Sequence, residues 1–283
     1  MKNRWMIIFM IGSALAVMLV FPESTLRGTR TGLLLWYQYF LPAIFPFMIL
    51  SGLLSGYLKK GGSLFAVITG FLNGYPNGAK TAADLSRRGL LPKETAGYYA
   101  VFCNLSGPMF LVSYAGLKRE LPIIYLTSAV LLFIFCQMKR RTNHSQKQSA
   151  EISREISEEM PPGDYLMECT RVMVKAGIYI MYFSILIEML VRHFSSSFLI
   201  RLLIPFLELT TGIACIQDPT FPLPSFRRYF RLFLCVSGGL CTAFQAKEVT
   251  YGLDLSIPRY LFFKLIQSFA VCAVCFAADM LIS

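Results

Sequence analysis

The stretch FLNGYPNGAKTAADLSRRG, residues 71–89, interrupts a hydrophobic segment of a strongly apolar sequence. It follows an apolar run, residues 63–72, that is too short to cross about 30 Å of hydrocarbon as a helix. Amides, glycines, a proline and a lysine come next, before a helix that we expect to restart near Thr81. Because an unpaired backbone group in hydrocarbon costs several kcal/mol, such a break survives only where it lines a cavity walled by protein or filled with water. We therefore predict a re-entrant hairpin with its tip at residues 73–78.

Composition indicates a membrane protein. Hydrophobic residues occupy 55% of the 283 positions and charged residues 15%, whereas a soluble domain carries roughly 25% charged residues. The apolar residues form long unbroken blocks, which favour helices over the alternating strands of a membrane barrel. We predict an all-α polytopic membrane protein with about seven spanning helices and two half-length, re-entrant segments. The blocks that are long enough, or nearly so, to span are residues 5–21, 33–58, 121–138, 166–191 and 259–282.

Basic residues lie in short clusters at the ends of these blocks, as in cytoplasmic loops under the positive-inside rule. The first block has a basic start and no cleavage site, so we expect an uncleaved helix with its amino end in the cytoplasm. The polar run 139–165, which begins with KRR, is expected to be a cytoplasmic linker with one short surface helix at residues 149–160. The predicted units are a first transmembrane helix and loop, a first half, the linker and a second half, at residues 1–32, 33–138, 139–165 and 166–283.

The net charge of +11 is spread over these clusters, so we expect the lipid bilayer as a partner and no nucleic acid. The eight cysteines lie mostly inside apolar blocks, and the sequence has only two histidines. We find no metal-ligand, nucleotide-binding or hydrolase motif, and therefore expect no enzyme activity, no metal and no cofactor. A homo-oligomer is left open. Lys264 lies near a helix end, where we expect its side chain to reach water.

Elements of the first half recur in the same order in the second. A half-length segment, residues 197–207, breaks at LELTTG, and a broken span contains SGGLCTAFQ, residues 237–245. Interrupted helices in an inverted repeat are the sequence pattern of secondary transporters, and the interruptions mark the solute site. We predict that the second half is the first half turned upside down. This inversion would place Arg227, Arg228 and Arg231 on the outer side, against the positive-inside rule.

Polar residues at the breaks are the candidates for a solute site. An ionised glutamate at mid-membrane costs at least about 2.5–3.5 kcal/mol, so Glu208 needs a partner, a proton or a role. We expect Lys80 and the free N–H groups of the helix after Gly78 to bind an anion. The alternative is an ordinary surface turn from which Lys80 extends to water. The predicted solute-binding residues are Asn73, Asn77, Gly78, Lys80, Asn104, Ser106, Glu208, Thr211 and Gln245.

The same residues carry a family resemblance. The stretch GFLNGYPNGAKTAADLSRRGLLPKETAGYYAVFCNLSGPMF resembles the first signature of the Gate, or nucleoside-recognition, domain family, in particular sporulation integral membrane proteins of the YlbJ type. LELTTG and SGGLCTAFQ are similar to that family's second break and glycine-rich segment, so the resemblance covers most of residues 33–270. The two asparagines of NGYPNG stand at positions where the family more often has a serine and a hydrophobic residue. The matching positions of the first signature are Gly74, Tyr75, Pro76, Gly78, Ala79, Lys80, Leu85, Gly89, Glu94, Asn104, Ser106, Gly107 and Pro108.

The resemblance implies a solute carrier related in architecture to concentrative nucleoside transporters, in a bacterial inner membrane or a forespore membrane. The YlbJ-type branch is implicated in moving dipicolinate, a small aromatic dicarboxylate, during spore formation. We therefore expect a secondary carrier for a small anionic or nucleoside-like solute, passive or ion-coupled because the sequence has no ATP-binding motif. The alternative is a membrane scaffold or assembly factor in sporulation that transports nothing and would not need polar breaks on facing segments.

Overall fold

The computed structural model describes residues 2–57, 62–142, 162–194 and 197–282, which are almost entirely helical and contain no strand. The predicted all-α class is therefore confirmed for these residues. The predicted surface helix at residues 149–160 lies outside them. The described ends of the predicted linker are helical, because its first residues complete one long helix and its last residues begin another.

Before the linker, long helices give way to short ones. A π-helical turn joins the second helix to the third, and non-helical residues interrupt the chain at both predicted breaks. The described helices of this part are α1 (Lys2–Val20), α2 (Pro22–Leu35), α3 (Leu41–Tyr57), α4 (Gly62–Asn73), α5 (Asn77–Arg87), α6 (Lys93–Phe102), α7 (Pro108–Ser113) and α8 (Leu121–Thr142).

After the linker, the succession is a long helix, short helices and a final long helix. A 3₁₀ turn, Ile204–Phe206, follows the first short helix, and another, Pro224–Phe226, ends the Pro-rich link. The described helices are α9 (Pro162–Phe194), α10 (Phe198–Leu203), α11 (Leu209–Gln217), α12 (Arg227–Ser237), α13 (Gly239–Val249) and α14 (Ile257–Ile282).

Four of the described helical segments are long and apolar enough to cross a membrane. Their outward faces carry large exposed apolar side chains, such as Phe262 and Phe269 of α14, which lipid would cover. The length, composition and surface of these segments make the chain a membrane protein. The segments are Pro22–Ser51, Leu121–Lys139, Gly163–Phe194 and Ile257–Leu281.

The loop predicted up to residue 32 is not present, and this prediction was wrong. Only Phe21 separates α1 from α2, and helix continues from α2 through the π-helical turn into α3. Charged residues in α2 made the segment resemble a loop, but they have partners on α9. Glu23 accepts from Arg192 at 2.8 Å, and Arg27 lies 3.5 Å from Glu188.

α2 and α9 pack antiparallel along their length. Gly28 lies against Ile185 of α9. Further along the chain, the indole of Trp36 donates to the carbonyl of Met173, an earlier residue of α9, at 3.1 Å. An added Cβ at Gly28 or Gly32 would lie 2.5 or 2.7 Å from backbone atoms of α9. Small residues of this kind let membrane helices approach closely. The pair forms a rigid wall that joins the two parts of the chain.

Each part of the chain contains a helical hairpin. In the first, α4 packs on α5 and the chain turns at residues 74–76, here called the first tip. In the second, the 3₁₀ turn after α10 packs on α11, and the chain turns at residues 206–208, the second tip. The predicted re-entrant segments are therefore helical hairpins, with α5 beginning at Asn77 rather than near Thr81.

Each part also contains a helix broken in its middle. The first break, residues 103–107, separates α6 from α7, and the second break, at Gly238, separates α12 from α13. Each tip rests on the break of its own part. An added Cβ at Gly74 would lie 2.5 Å from the nitrogen of Gly107, and one at Gly239 would lie 2.8 Å from the oxygen of Phe206.

The arginines that conflict with the positive-inside rule fasten α12 to its neighbours. Arg228 lies 2.5 Å from Glu120, just before α8, and 2.8 Å from Asp279 of α14. Arg231 donates to the carbonyl of Ala115 at 2.8 Å, and the remaining arginine donates to backbone carbonyls of the Pro-rich link. These contacts close the end of the molecule away from the linker.

Gly78 provides a test of the contact between α5 and the first break. An added Cβ would lie 2.6 Å from the oxygen of Cys103, a backbone atom that cannot move without opening the break. We expect Gly78→Ala to lower stability by about 1–3 kcal/mol. Thermal unfolding of the purified protein in detergent measures this loss.

Gly97→Ala is the matched control. Gly97 lies on α6 with nothing within 4 Å of an added Cβ, and alanine favours a helix over glycine by about 1 kcal/mol. Its melting temperature should stay the same or rise. An equal loss in both variants would contradict a specific contact at Gly78.

Candidate functional site

The two breaks meet at Lys264 of α14. Its side chain is wholly buried, so the expectation that it reaches water was wrong. The ammonium donates to the carbonyl of Asn104 in the first break and to that of Val236 at the end of α12, the latter at 3.1 Å. Carbonyls at helix C-terminal ends are unpaired and carry partial negative charge. Lys264 therefore neutralises both broken helices at one point.

Gln267, one turn further along α14, completes these contacts. Lys264, Gln267 and the segments of the two breaks that they bind are here called the joint. Its amide nitrogen donates to the carbonyl of Phe102 at 3.0 Å and to the hydroxyl of Ser128 at 2.8 Å. Its oxygen therefore faces Lys264, at 3.0 Å from Nζ. Three acceptors around one nitrogen fit an ammonium, which has three N–H groups. The contacts thus match the charged form of the lysine.

Asn104 and Ser106, two predicted solute-binding residues, use their side chains within the protein. The oxygen of the Asn104 amide accepts from the backbone N–H of Ala79 at 3.2 Å, and its nitrogen donates to the hydroxyl of Tyr260 at 2.9 Å. Ser106 donates to the carbonyl of Cys235 at 2.9 Å. Both residues are buried. A solute could contact them only by displacing these bonds.

The N-terminal end of α5 is already satisfied. The N–H groups of Asn77 and Gly78 both donate to the carbonyl of Gly74, at 2.9 and 3.1 Å, and the N–H of Ala79 donates to Asn104. The expectation that this helix end presents free N–H groups to an anion was therefore wrong. Asn77 and Gly78 are buried beneath the first break.

At the second tip, Glu208 caps α11. Its carboxylate accepts from the N–H groups of Thr210 and Thr211, at 2.9 and 2.6 Å, and from the hydroxyl of Thr210. A carboxylate at a helix N-terminus is favoured by the free N–H groups and by the helix dipole. The hydroxyl of Thr211 lies 3.0 Å from that of Ser184 on α9. Glu208 therefore has the partners that its buried position requires.

A cleft of about 190 Å³ lies between α5, α9 and α13 and reaches from the linker end of α9 to the first tip. Its charged lining is mainly basic, with two acidic residues among them. All of these charges are in ion pairs: Lys80 and Arg87 both pair with Asp84, Arg171 pairs with Glu168 and Lys175 pairs with Glu248. The basic and acidic lining residues are Lys80, Arg87, Arg171, Lys175, Glu168 and Glu248.

Gln245 lies in the wall of this cleft and is incompletely bonded. Its amide nitrogen contacts the sulfur of Cys241 at 3.3 Å, and its oxygen is buried without a hydrogen-bond partner among the described residues. A thiol can also donate to an amide oxygen, so the amide can turn its NH₂ group toward the cleft. Buried polar groups without partners are rare, and a bound ligand or water is one way in which they are paired.

Of the predicted site residues, the structure brings Lys80 and Gln245 together in the cleft. Asn73 lies at the end of α4, donates to Ser51 at 2.6 Å and leaves its oxygen buried without a described partner. The remaining predicted residues lie at the breaks and tips described above. Sequence reasoning missed the polar face of α9, although Arg171, Lys175 and Tyr179 recur every fourth residue in an otherwise apolar helix.

Comparison with known proteins gives one curated relative. The chain is 29% identical over 114 residues to the sporulation integral membrane protein YlbJ of Bacillus subtilis (strain 168). The match covers 34% of this chain and only 28% of that protein, so the similarity is distant and partial. No protein-family model matches the chain, and no solved structure matches it significantly. Over about a third of its length, the chain is therefore similar to a protein named as a sporulation integral membrane protein.

Asn104→Ala tests whether the joint is structural. The substitution leaves the Ala79 N–H and the Tyr260 hydroxyl without their partner in a dry interior, at about 1–3 kcal/mol for each buried group. We expect lower thermal stability and lower accumulation in the membrane, even without solute. Gln245→Ala removes an incompletely bonded amide and should melt close to the unsubstituted protein. A native melting temperature for Asn104→Ala would show that the joint does not hold the breaks.

Proposed function

We propose that the chain is a secondary carrier for a small anionic solute and that the cleft is its binding site. The observation that carries this proposal is Gln245, a buried and incompletely bonded amide that can turn its NH₂ group toward a cleft lined by more basic than acidic side chains. Lys80, Arg171 and Lys175 would bind the anionic groups of the solute, and Gln245 would bind a second polar group. The solute would replace the acidic partners that these three residues have in the structure. Breaking the ion pairs would cost little free energy because the pairs are partly exposed.

The architecture supports a carrier over a scaffold. Two helical hairpins and two broken helices, in the same order in each part of the chain, correspond to the broken helices and repeats of secondary transporters. The antiparallel packing of α2 on α9, the helices that open the two parts, is the relation expected of an inverted repeat. We therefore also propose that the second part is an inverted repeat of the first. The chain would then cross the membrane about seven times if each broken helix counts as one span.

The proposed orientation places the N-terminus and the linker in the cytoplasm of a multi-pass protein, because KRR precedes the linker. The cleft, at the linker end of α9, would then open to the cytoplasm, and the Arg228 contacts would close the opposite side. Transport would require the closed side to open and the cleft to close. Movement of the hairpins against the α2–α9 wall is one way to achieve this.

The size of the cleft favours a solute with a single ring. An apolar cavity of about 150 Å³ is large enough for benzene, and this cleft is somewhat larger, at about 190 Å³. Tyr179 and Tyr251 contribute aromatic faces to its lining. Dipicolinate, proposed from the resemblance to the YlbJ-type proteins, has this size and charge. A nucleoside is the second candidate, and a non-transporting scaffold in sporulation is the competing function.

The test is solute flux into vesicles containing the purified protein, with dipicolinate, nucleosides and small monocarboxylates as the panel. We expect saturable uptake of an anion. Lys80→Met keeps the length of the side chain and removes its charge, so it should raise the half-saturating concentration about 10-fold or more, the usual loss for a hydrogen bond to a charged group. Gln245→Ala should weaken uptake in the same direction.

Lys118→Met is the matched control, because Lys118 is exposed and lies outside the cleft. It removes the same charge and should leave uptake unchanged. Uptake of nucleosides without uptake of anions would support a carrier whose solute is a nucleoside rather than an anion. No uptake of any solute by folded protein would favour the scaffold.

A further inference from the structure

Three oxygen atoms from separate segments converge on the Nζ atom of Lys264. They are the carbonyls of Asn104 and Val236, from the two breaks, and the side-chain oxygen of Gln267. The rings of Tyr75 and Tyr260 lie nearby, with centroids 5.2 and 5.9 Å from Nζ. Oxygen dipoles and aromatic faces both attract a cation. Without its ammonium, this group of atoms would be a small, dry, electronegative cavity.

In carriers built on broken helices, the C-terminal ends of half-helices and unwound carbonyls coordinate the coupling sodium ion or proton. Here the same kinds of group surround a lysine. We propose that Lys264 is a tethered cation that permanently fills a monovalent-cation site between the two breaks. The proposal rests on the proposed carrier function for its consequence, which is that solute movement requires no sodium ion.

The geometry explains why a tethered cation differs from a free one. A free ion enters and leaves with the solute and so links transport to its own gradient. Lys264 is fixed to α14 by its backbone, and the oxygens around it come from both broken helices. It therefore holds the breaks together whether or not solute is bound, and it leaves no room for a sodium ion between them.

The competing interpretation is a structural fastener, in which the lysine acts only through its hydrogen bonds and its stem. The two interpretations differ in what remains when the side chain is removed. A fastener leaves a defect that no ion repairs. A cation site leaves oxygens around an empty cavity, which a small free cation should fill.

Lys264→Ala makes this distinction. The substitution removes the ammonium and most of its stem but retains the three oxygens. Thermal unfolding would be measured in detergent at equal ionic strength in sodium chloride, potassium chloride and choline chloride. We expect the unsubstituted protein to melt at the same temperature in all three salts. The variant should melt lower in choline chloride and recover with rising sodium concentration, because an ion that binds only the folded state stabilises it.

Two controls define the site. Lys264→Met fills the cavity with an apolar chain, so its melting temperature should be lowered and should not respond to sodium. Lys247→Ala removes a lysine that donates to the carbonyl of Leu255 at 2.9 Å and lies away from the two breaks, and it should show no difference between salts.

Two results would overturn the proposal: stabilisation of the unsubstituted protein by sodium, or an equal melting temperature of Lys264→Ala in sodium and choline. If Lys264→Ala does not accumulate, Lys264→Asn, which is shorter than lysine and polar, takes the same measurements. Melting requires no solute, so the result stands even where the protein moves no solute. If the unsubstituted protein transports solute but the melting temperature of Lys264→Ala does not respond to sodium, the tethered cation is rejected and the carrier function is retained.

Discussion

A helix that stops inside a buried interior leaves backbone groups that must find partners there, and two such helices set the main requirement of this fold. The chain meets it with side chains from α14, since Lys264 and Gln267 bind carbonyls of both broken helices. Asn104 and Tyr75 complete the joint, the first at the start of α5 and the second through its hydroxyl to Val236 at 2.6 Å. The first tip, the first break and the end of α12 are therefore fixed by one connected set of hydrogen bonds.

This joint separates two kinds of polar residue. Those at the joint are buried and bonded within the protein, as with Asn104 and Ser106, whose atoms hold segments distant in sequence. Those in the cleft are partly exposed or incompletely bonded, as with Lys80 and Gln245. A polar group whose hydrogen-bond partners all lie within the protein stabilises one conformation. A group with a hydrogen bond left unmade can bind a solute or water. The polar residues of the breaks and of the cleft thus differ in whether their partners lie within the protein.

The sequence predicted the helical class, the two hairpins and the positions of both breaks, because glycine, proline and amides rarely cluster inside an apolar block unless the helix stops there. It failed where a residue's meaning depends on its distant neighbours. The charges of α2 suggested a loop because their partners lie on α9, more than a hundred residues away. Lys264 suggested a helix end because its acceptors belong to two other segments. Lys80 and Gln245 were predicted as site residues, but the polar face of α9 that joins them was missed.

The arrangement of charge weighs against a protein whose breaks serve packing alone. A fold that needed only to close its breaks would satisfy every buried polar group near them, because each unpaired one costs about 1–3 kcal/mol. Here Lys264 and Gln267 have partners, while Asn73 beside the first break and Gln245 in the cleft each keep an amide oxygen without a partner among the described residues, and only the cleft adds more basic than acidic side chains. The incompletely bonded amide of the cleft lies on a concave surface that a small anion would fit. A solute that supplied the missing partners would offset the cost, which is the reasoning that favours a carrier over a scaffold.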